Sequence, residues 1–325
     1  MSVTPFLRAG AIAVAMAAAL PAQAESAAEY PSRPIRIIVP YTPGAINDVL
    51  ARRIAQRLSE SLKQSVVVEN KPGGGTVIGT EYVARADPDG YTLLQTAAAH
   101  SINPNLMSKL PYDTIKSFSF ITLVGTSPYV MIATPNLPAN TVPELVALAK
   151  SKPGTISYAS TGNGGSAHLM GELLKDMAKI DLMHVPYKGL AQGLNDLSSG
   201  QVQLSFSTYT GAMNYLKPGR VKAIAVTGKE RMSVLPDVPT IAETFPGYDA
   251  SGWWGYVAPA GTPQPIVDKL NRELVKIVQS PDFKEQFKSE GVQMLGTTPG
   301  EFKAHVEREM EIWGKLVKKA NIRMD

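Results

Sequence analysis

The chain has 325 residues, with 32 lysines and arginines against 28 aspartates and glutamates, four histidines and no cysteine. This length allows one large or two ordinary domains with substantial hydrophobic cores. Hydrophobic residues make up 44% and charged residues 18%, which excludes a disordered or collagen-like chain. A formal net charge of +4, without a cluster of lysines or arginines, argues against a nucleic-acid partner. The lack of cysteine excludes disulfide scaffolds, thiolate metal sites and cysteine nucleophiles.

The first 24 residues have the pattern of a secretory signal peptide. Arg8 is followed by an apolar run over residues 9–20 and by Pro21-Ala22-Gln23-Ala24, which ends in an A-x-A cleavage pattern. The apolar run is too short for a transmembrane helix, which disfavours the alternative of an uncleaved membrane anchor. Cleavage after Ala24 is therefore expected, and the mature protein is expected to be exported.

Short apolar strands then alternate with amphipathic helices. In chain order, strands are predicted at 35–39, 66–69, 92–97, 156–159, 182–185 and 202–206. The first two helices are predicted at 48–62 and 76–85, a third begins at the capping box Thr141–Glu144, and two more are predicted at 166–177 and 189–197. Alternation of this kind is typical of parallel sheets covered by helices, so the predicted fold class is α/β.

The end of the chain and two connections differ from this alternation. Helices are predicted at 263–279, 281–289 and 299–319, the last after the capping box Thr298–Glu301. Strands at 120–124 and 129–134 have only Gly125 to Pro128 between them, and an aromatic strand is predicted at 253–258. We interpret these as two crossings between lobes. The first lobe would comprise 25–126 and 252–325, and the second 127–251.

Four loops between strands and helices are rich in glycine and small polar residues, at 41–48, 70–76, 160–166 and 187–189. In a parallel sheet these loops lie at the carboxyl ends of the strands, where ligands bind. Each leads into a helix N-terminus, whose free N–H groups and positive dipole end suit an anion. The alternative is that the glycines only serve tight turns. The seven consecutive small residues of 160–166 favour binding.

Two other motifs are weaker evidence for a function. Gly162, Gly164 and Ala167 match a dinucleotide fingerprint, but the required acid is absent from the end of the next strand, since Asp181 precedes that strand. Ser166 and His168 resemble a hydrolase elbow, yet two residues apart on a helix they point to different faces. His168 is expected to cap the helix or pack. The other histidines, His100, His184 and His305, lack a spaced ligand partner, so neither a metal site nor a catalytic residue is predicted.

Several longer stretches together carry a resemblance that spans essentially the whole mature chain. Among them are Pro34-Ile35-Arg36-Ile37-Ile38-Val39-Pro40, Val68-Glu69-Asn70-Lys71-Pro72-Gly73, Asp87-Pro88-Asp89-Gly90-Tyr91-Thr92-Leu93, Tyr158-Ala159-Ser160-Thr161-Gly162, His184-Val185-Pro186-Tyr187-Lys188-Gly189 and Leu235-Pro236-Asp237-Val238-Pro239-Thr240. With these stretches the chain resembles the substrate-binding receptors of tripartite tricarboxylate transporters, often called Bug-type receptors.

The resemblance implies a two-lobed periplasmic-binding-protein fold of the Venus flytrap, type II kind, with two crossing strands and a small organic carboxylate between the lobes. Backbone N–H groups, small hydroxyls and waters would hold the acid, without a cofactor. The implied contacts are Tyr41, Gly44, Asp48, Ala97 and Ala98 in the first lobe, and Ser160, Thr161, Asn163, Ser166, Tyr187 and Thr208 in the second. Two positions depart from the family: Ala45 stands where a second glycine is usual, and Gln203 where an acid is usual.

The expected function is that of a monomeric periplasmic receptor that delivers a carboxylate to the membrane subunits of such a transporter and catalyses no reaction. One alternative is a secreted hydrolase using Ser166 with His168 or His184. Another is a ligand-sensing receptor for a signalling protein. The sequence leaves open which carboxylate is bound.

Overall fold

The computed structural model describes residues 29–44 and 46–322, so the predicted signal peptide, its cleavage site after Ala24 and the departure at Ala45 lie outside the described residues. The strands are β1 (Ile35–Val39), β2 (Val66–Asn70), β3 (Thr92–Ala97), β4 (Phe118–Ala133), β5 (Ser157–Ser160), β6 (Met183–Pro186), β7 (Leu204–Thr208), β8 (Lys222–Val226), β9 (Ser251–Pro259) and β10 (Gln293–Met294). The helices are α1 (Ile46–Leu62), α2 (Val77–Ala84), α3 (Ala99–Leu106), α4 (Val142–Ser151), α5 (Ser166–Ala178), α6 (Leu190–Ser199), α7 (Tyr209–Leu216), α8 (Gln264–Gln279), α9 (Pro281–Lys288) and α10 (Pro299–Ala320).

The strands form one mixed sheet in the order β2-β1-β3-β9-β4-β7-β5-β6, with β8 and β10 also paired to β4. Strand β1 is parallel to β2 and β3, and β5 is parallel to β6 and β7. Strand β9 runs antiparallel between β3 and β4. The predicted α/β class is therefore confirmed, with two parallel halves joined through antiparallel strands.

Strand β4 corrects one prediction. Residues 118–133 form a single continuous strand rather than two strands separated at Gly125 to Pro128. Its first part pairs with β9 from Phe118 to Pro128, and its second part pairs with β7 and β8 from Tyr129 to Ala133. Gly125 is needed for close approach rather than for a turn, because a Cβ there would lie 3.0 Å from the Gln293 carbonyl oxygen of β10. Pairing on both sides keeps this segment extended.

Each half of the sheet has its own hydrophobic core, and α10 contributes to both. Near its start, Phe302 and Val306 pack with Trp253 of β9 and other residues of the first half. Near its end, Trp313, Leu316 and Val317 belong to the core that β5, α5 and β7 form in the second half. Helix α10 therefore runs across the junction between the two halves.

Local capping positions several helices as the sequence indicates. The Thr298 hydroxyl accepts the N–H of Glu301 at 3.3 Å, and the Glu301 carboxylate accepts the N–H of Thr298 at 2.9 Å, which confirms this capping box. Thr141 caps α4 in the same way, but the Glu144 carboxylate binds the N–H of Asn140 instead. Among the described residues, no helix combines the length and apolar character needed to cross a bilayer.

Candidate functional site

A cavity of about 500 Å³ lies where the two halves of the sheet meet. Of the residues singled out from the sequence, those that line it are Tyr41, Ala97, Ala98, Thr161, Asn163, Ser166 and Thr208. The other lining residues are Ile46, Asn47, Gly75, Thr76, Ala99, Ile102, Asn103, Ser127, Tyr129, Gly164, Gly165, Gly252, Trp253 and Trp254. Both crossing strands, β4 and β9, thus contribute to its wall. Gly44, Asp48, Ser160 and Tyr187 do not line it.

Three helices begin at this cavity without a side-chain cap. The residues that precede α2, α3 and α5 are Thr76, Ala98 and Gly165, and none of their side chains binds the first N–H groups of its helix. Helices α6, α8 and α9 also lack a side-chain cap but begin away from the cavity, whereas α4 and α10 are capped by threonines. At α2 the N–H of Val77 donates to the carbonyl of Gly74 and that of Ile78 to the carbonyl of Gly73. The starts of α3 and α5 therefore direct free N–H groups and positive dipole ends at the cavity. Helix α7 differs, since Thr208 accepts the N–H of Gly211 at 3.2 Å.

The cavity wall is electrically neutral in its side chains. Within the described parts of the chain, no aspartate, glutamate, lysine, arginine or histidine lines it. Hydroxyls and amides such as Thr161, Asn163 and Asn47 lie among aromatic rings, including Tyr41 and Trp254. An anion in this cavity would therefore meet uncharged hydrogen-bond donors and helix dipoles rather than a charged side chain.

Asp48 does not line the cavity but binds the glycine-rich loop 41–48 that does. Its carboxylate accepts the N–H of Gly44 at 3.0 Å, Nε of Arg52 at 3.0 Å and Nδ2 of Asn70 at 2.9 Å. Nδ2 of Asn70 also donates to the carbonyl of Tyr41 at 3.1 Å. Burial opposes ionisation, but the bonds from Arg52, Gly44 and Asn70 lower the pKa of Asp48 below its usual value. Asp48 and Gly44 therefore shape the loop that presents Tyr41.

Two histidines, His168 and His184, bind the glycine-rich loop 160–166. Nδ1 of His168 accepts the N–H of Gly164 at 3.0 Å, so His168 binds the loop that precedes its helix rather than an N–H group of the helix itself. Nε2 of His184 lies 2.6 Å from Oγ of Ser160, which in turn lies 3.0 Å from the carbonyl oxygen of Gly162. Burial lowers the pKa of both histidines, that of His184 to about 4. Both rings are neutral at pH 7, and Ser160 is a support of the loop.

These contacts bear on the hydrolase alternative. The Ser166 side chain is hydrogen-bonded to Tyr129 across the cavity wall. His168 and His184 bind Gly164 and Ser160 instead. The structure therefore does not bring Ser166 together with either histidine. Across residues 29–44 and 46–322, no group of three or more histidines or carboxylates is placed to hold a metal ion.

Two further positions lie away from the cavity. The hydroxyl of Tyr187 donates to Asp196 on α6 at 2.8 Å. Oε1 of Gln203 accepts both the N–H and the hydroxyl of Ser157 at 2.9 Å, and Nε2 donates to the carbonyl of Gly200 at 3.2 Å. The departure from the family pattern at Gln203 therefore concerns the start of β7 and not the cavity wall.

The comparison with known families decides the identity. The sequence pattern described as "Tripartite tricarboxylate transporter family receptor" matches residues 50–322. The chain belongs to this family. The resemblance stated from the sequence is thereby confirmed.

Solved structures agree with this assignment. The receptor is similar to the periplasmic binding protein BugD, with 38% identity, a TM-score of 0.74 and coverage of 91% of this chain and 100% of BugD. It is similar to Rpa4515 of R. palustris, solved with adipate, with 33% identity, a TM-score of 0.78 and coverage of 90% and 99%. It is also similar to MatC from Rhodopseudomonas palustris, solved with bound malate, with 30% identity, a TM-score of 0.73 and coverage of 89% and 100%. The predicted two-lobed periplasmic-binding-protein fold and the predicted class of solute-binding receptor are confirmed.

Proposed function

We propose that this receptor binds a small organic carboxylate in the cavity between its two halves and passes it, chemically unchanged, to the membrane subunits of a tripartite tricarboxylate transporter. The observation that carries the proposal is the convergence of two uncapped helix N-termini, those of α3 and α5, on one cavity. Free N–H groups at the positive end of a helix favour a negative charge.

The size and composition of the cavity support the same ligand class. A volume of about 500 Å³ lies within the range of roughly 300–1,000 Å³ that is usual for small-molecule sites. Each charge-assisted hydrogen bond to a carboxylate contributes about 1.5–3 kcal/mol. The acids in the two structures from Rhodopseudomonas palustris, adipate and malate, are small organic carboxylates.

In this proposal the site residues divide into two groups. Tyr41, Ala97, Ala98, Thr161, Asn163, Ser166 and Thr208 contact the acid, since all of them line the cavity. The second group does not contact the acid but fixes the loops by hydrogen bonds, and it comprises Gly44, Asp48, Ser160 and Tyr187. Residues 25–126 and 252–325 form one lobe and 127–251 the other, and the lobes close about the crossings at β4 and β9.

A thermal-shift screen tests the ligand class directly. The panel contains succinate, malate, glutarate, adipate, citrate and benzoate, each beside its primary amide and beside sodium chloride of equal ionic strength. An acid present at about 100 times its dissociation constant stabilises the protein by about 2.7 kcal/mol. We expect at least one acid to raise the melting temperature and its amide to bind at least tenfold more weakly. Equal affinity for acid and amide would reject the anion site.

Three further measurements test export, oligomeric state and the lack of hydrolysis. Intact mass of protein from a periplasmic extract should correspond to a chain that begins at Glu25, and full-length protein in the cytoplasm would contradict export. Size-exclusion chromatography with light scattering should give a monomer. Incubation with ester and amide forms of the acids distinguishes a receptor from a hydrolase: a hydrolase would release free acid and lose that turnover in Ser166→Ala, whereas a receptor binds its acid stoichiometrically and shows no turnover.

A further inference from the structure

Glu309 is a buried carboxylate on which three donors converge. It lies on α10 with 8% of its surface exposed. Its Oε2 accepts the indole N–H of Trp313 at 2.8 Å, the indole N–H of Trp253 at 3.2 Å and the hydroxyl of Ser101 at 3.3 Å. In the described part of the chain, no lysine or arginine forms an ion pair with it. Hydrogen bonds, without an ion pair, therefore satisfy this carboxyl group.

The chemistry of this position favours a carboxylate. Both indole N–H groups meet the same oxygen, Oε2, so an amide oxygen in that place would still accept them. As a neutral acceptor it would bind them more weakly than an ionised carboxylate does. Burial raises the pKa of Glu309, and the bonds from Trp313, Trp253 and Ser101 oppose that rise.

The donors belong to the cavity wall and to the long helix. Trp253 of β9 lines the cavity. Ser101 lies in the first turn of α3, between the cavity-lining residues Ala98 and Ile102, and its N–H donates to the carbonyl of Ala98. Its single hydroxyl proton is shared between that carbonyl, at 2.9 Å, and Oε2 of Glu309, at 3.3 Å. Trp313 packs in the core of the second half. Glu309 therefore joins two segments of the cavity wall to α10 at the place where α10 passes from one core to the other.

We propose that Glu309 is a positioning residue of the binding site, which holds Trp253 and the N-terminus of α3 at the cavity without contacting the ligand. The uncapped start of α3 faces the cavity, so a shift of this helix moves donors that an acid would use. The inferred effect of Glu309 on ligand affinity rests on the proposed function, whereas its inferred effect on the positions of Trp253 and α3 in the cavity wall does not.

Amide hydrogen exchange of the unliganded protein tests the wall. The variant is Glu309→Gln, and its matched control is Glu311→Gln, an exposed glutamate of the same helix that binds Lys315. We expect peptides covering 97–106 and 251–259 to exchange at least tenfold faster in Glu309→Gln, with α5 and the control unchanged. Faster exchange confined to α10, or spread evenly over the chain, would overturn the proposal. Should Glu309→Gln not fold, Ser101→Ala removes the α3 contact alone and should accelerate exchange in 97–106.

Titration calorimetry with adipate and malate tests affinity. For whichever acid binds the wild type, Glu309→Gln should raise the dissociation constant at least tenfold and Glu311→Gln less than twofold. An unchanged dissociation constant in a folded Glu309→Gln protein would overturn the positioning role, since a purely structural residue lowers the melting temperature without moving affinity. If neither acid binds the wild type, the result counts against the proposed function, and hydrogen exchange still decides the role of Glu309.

Discussion

The imidazole rings of His168 and His184 stack with their centroids 3.8 Å apart and their planes 5° from parallel. The two residues come from α5 and β6 and bind different ends of the loop 160–166, at Gly164 and Ser160. Because Nδ1 of His168 accepts an N–H, a proton on that nitrogen would place two donors face to face. The loop that lines the cavity with Thr161 and Ser166 is therefore supported by a pair of neutral histidines.

This pair predicts a loss of stability in mild acid. Burial lowers the pKa of His184 to about 4 and also lowers that of His168, whereas the unfolded chain has histidines near a pKa of about 6.5. Between these values the unfolded state binds more protons, so the free energy of unfolding falls as the pH falls through this window. Urea midpoints of the wild type at pH 7, 6, 5 and 4.5 should show that decline.

The control for this prediction is His184→Gln, which cannot titrate. It should be less stable than the wild type at pH 7 but lose stability less steeply below pH 6.5. Burial also lowers the pKa of His100 and His305 to about 4, and they affect both proteins alike. Identical slopes in the two proteins would show that His184 is not responsible.

Replacing Thr161 by alanine should weaken binding. Thr161 lines the cavity at the start of α5, and loss of a charge-assisted hydrogen bond costs about 1.5–3 kcal/mol, so the dissociation constant of an acid found in the screen should rise about tenfold or more. Thr155→Ala is the matched control, because Thr155 is exposed and binds only the carbonyl of Lys152. Titration calorimetry measures both, and equal constants would remove Thr161 from the site.

Trp254 should report ligand binding by fluorescence. Its ring lines the cavity and its indole N–H binds Oδ1 of Asn47. Trp253 also lines the cavity, but its indole is held by Glu309, as is that of Trp313, which does not line it. A bound acid should change the emission of the wild type and of Trp313→Phe, and this change should vanish in Trp254→Phe. If the change instead persisted in Trp254→Phe and disappeared in Trp313→Phe, closure would act on the far end of α10.

A single methyl group at Gly171 should destabilise the second half. A Cβ there would lie 2.4 Å from the Tyr158 ring, beside the histidine pair. Overpacking of this kind costs about 1–3 kcal/mol, which Gly171→Ala should show as a lower urea midpoint. Gly300→Ala is the control, since nothing lies within 4 Å of that position in the first turn of α10. Equal midpoints would mean that Tyr158 moves aside freely.

The sequence was sufficient for most of the fold because the hydrophobic periods of 2 and 3.6 residues are local. Strand β3 begins and ends where predicted, and α1, α5, α8 and α10 differ from the prediction by a few residues at their ends. The elements that were missed depend on long-range contacts. Helix α3 contains Pro104, and its polar side chains are buried against α10 and the loop at Gly75. The segment at Gly125 was predicted to separate two strands, because its partners in β9 and β10 lie far along the chain.

The site shows the same division. Three of the four glycine-rich loops, at 41–48, 70–76 and 160–166, contribute residues that line the cavity, among them Asn47, Thr76 and Gly165, which were not singled out. No local sequence pattern tells which side of a loop faces the cavity. The sequence therefore could not distinguish Ser160 and Tyr187, which do not line the cavity, from Thr161, which does. Tyr129 and Asn103 reach the cavity from β4 and α3. Their roles depend on how distant segments fold together, which spacing along the chain does not encode.

Helix α10 has a consequence for how the protein is built. Because Phe302 packs in one core and Trp313 in the other, the halves are not interchangeable modules that could be cut apart and rejoined. A polypeptide comprising residues 127–251 would lack the indole and the aliphatic side chains that complete its interior, and would expose apolar surface of that core. The residues of α10 are synthesised after all of those in 127–251. The second half therefore cannot complete its core while its own residues are emerging from the ribosome.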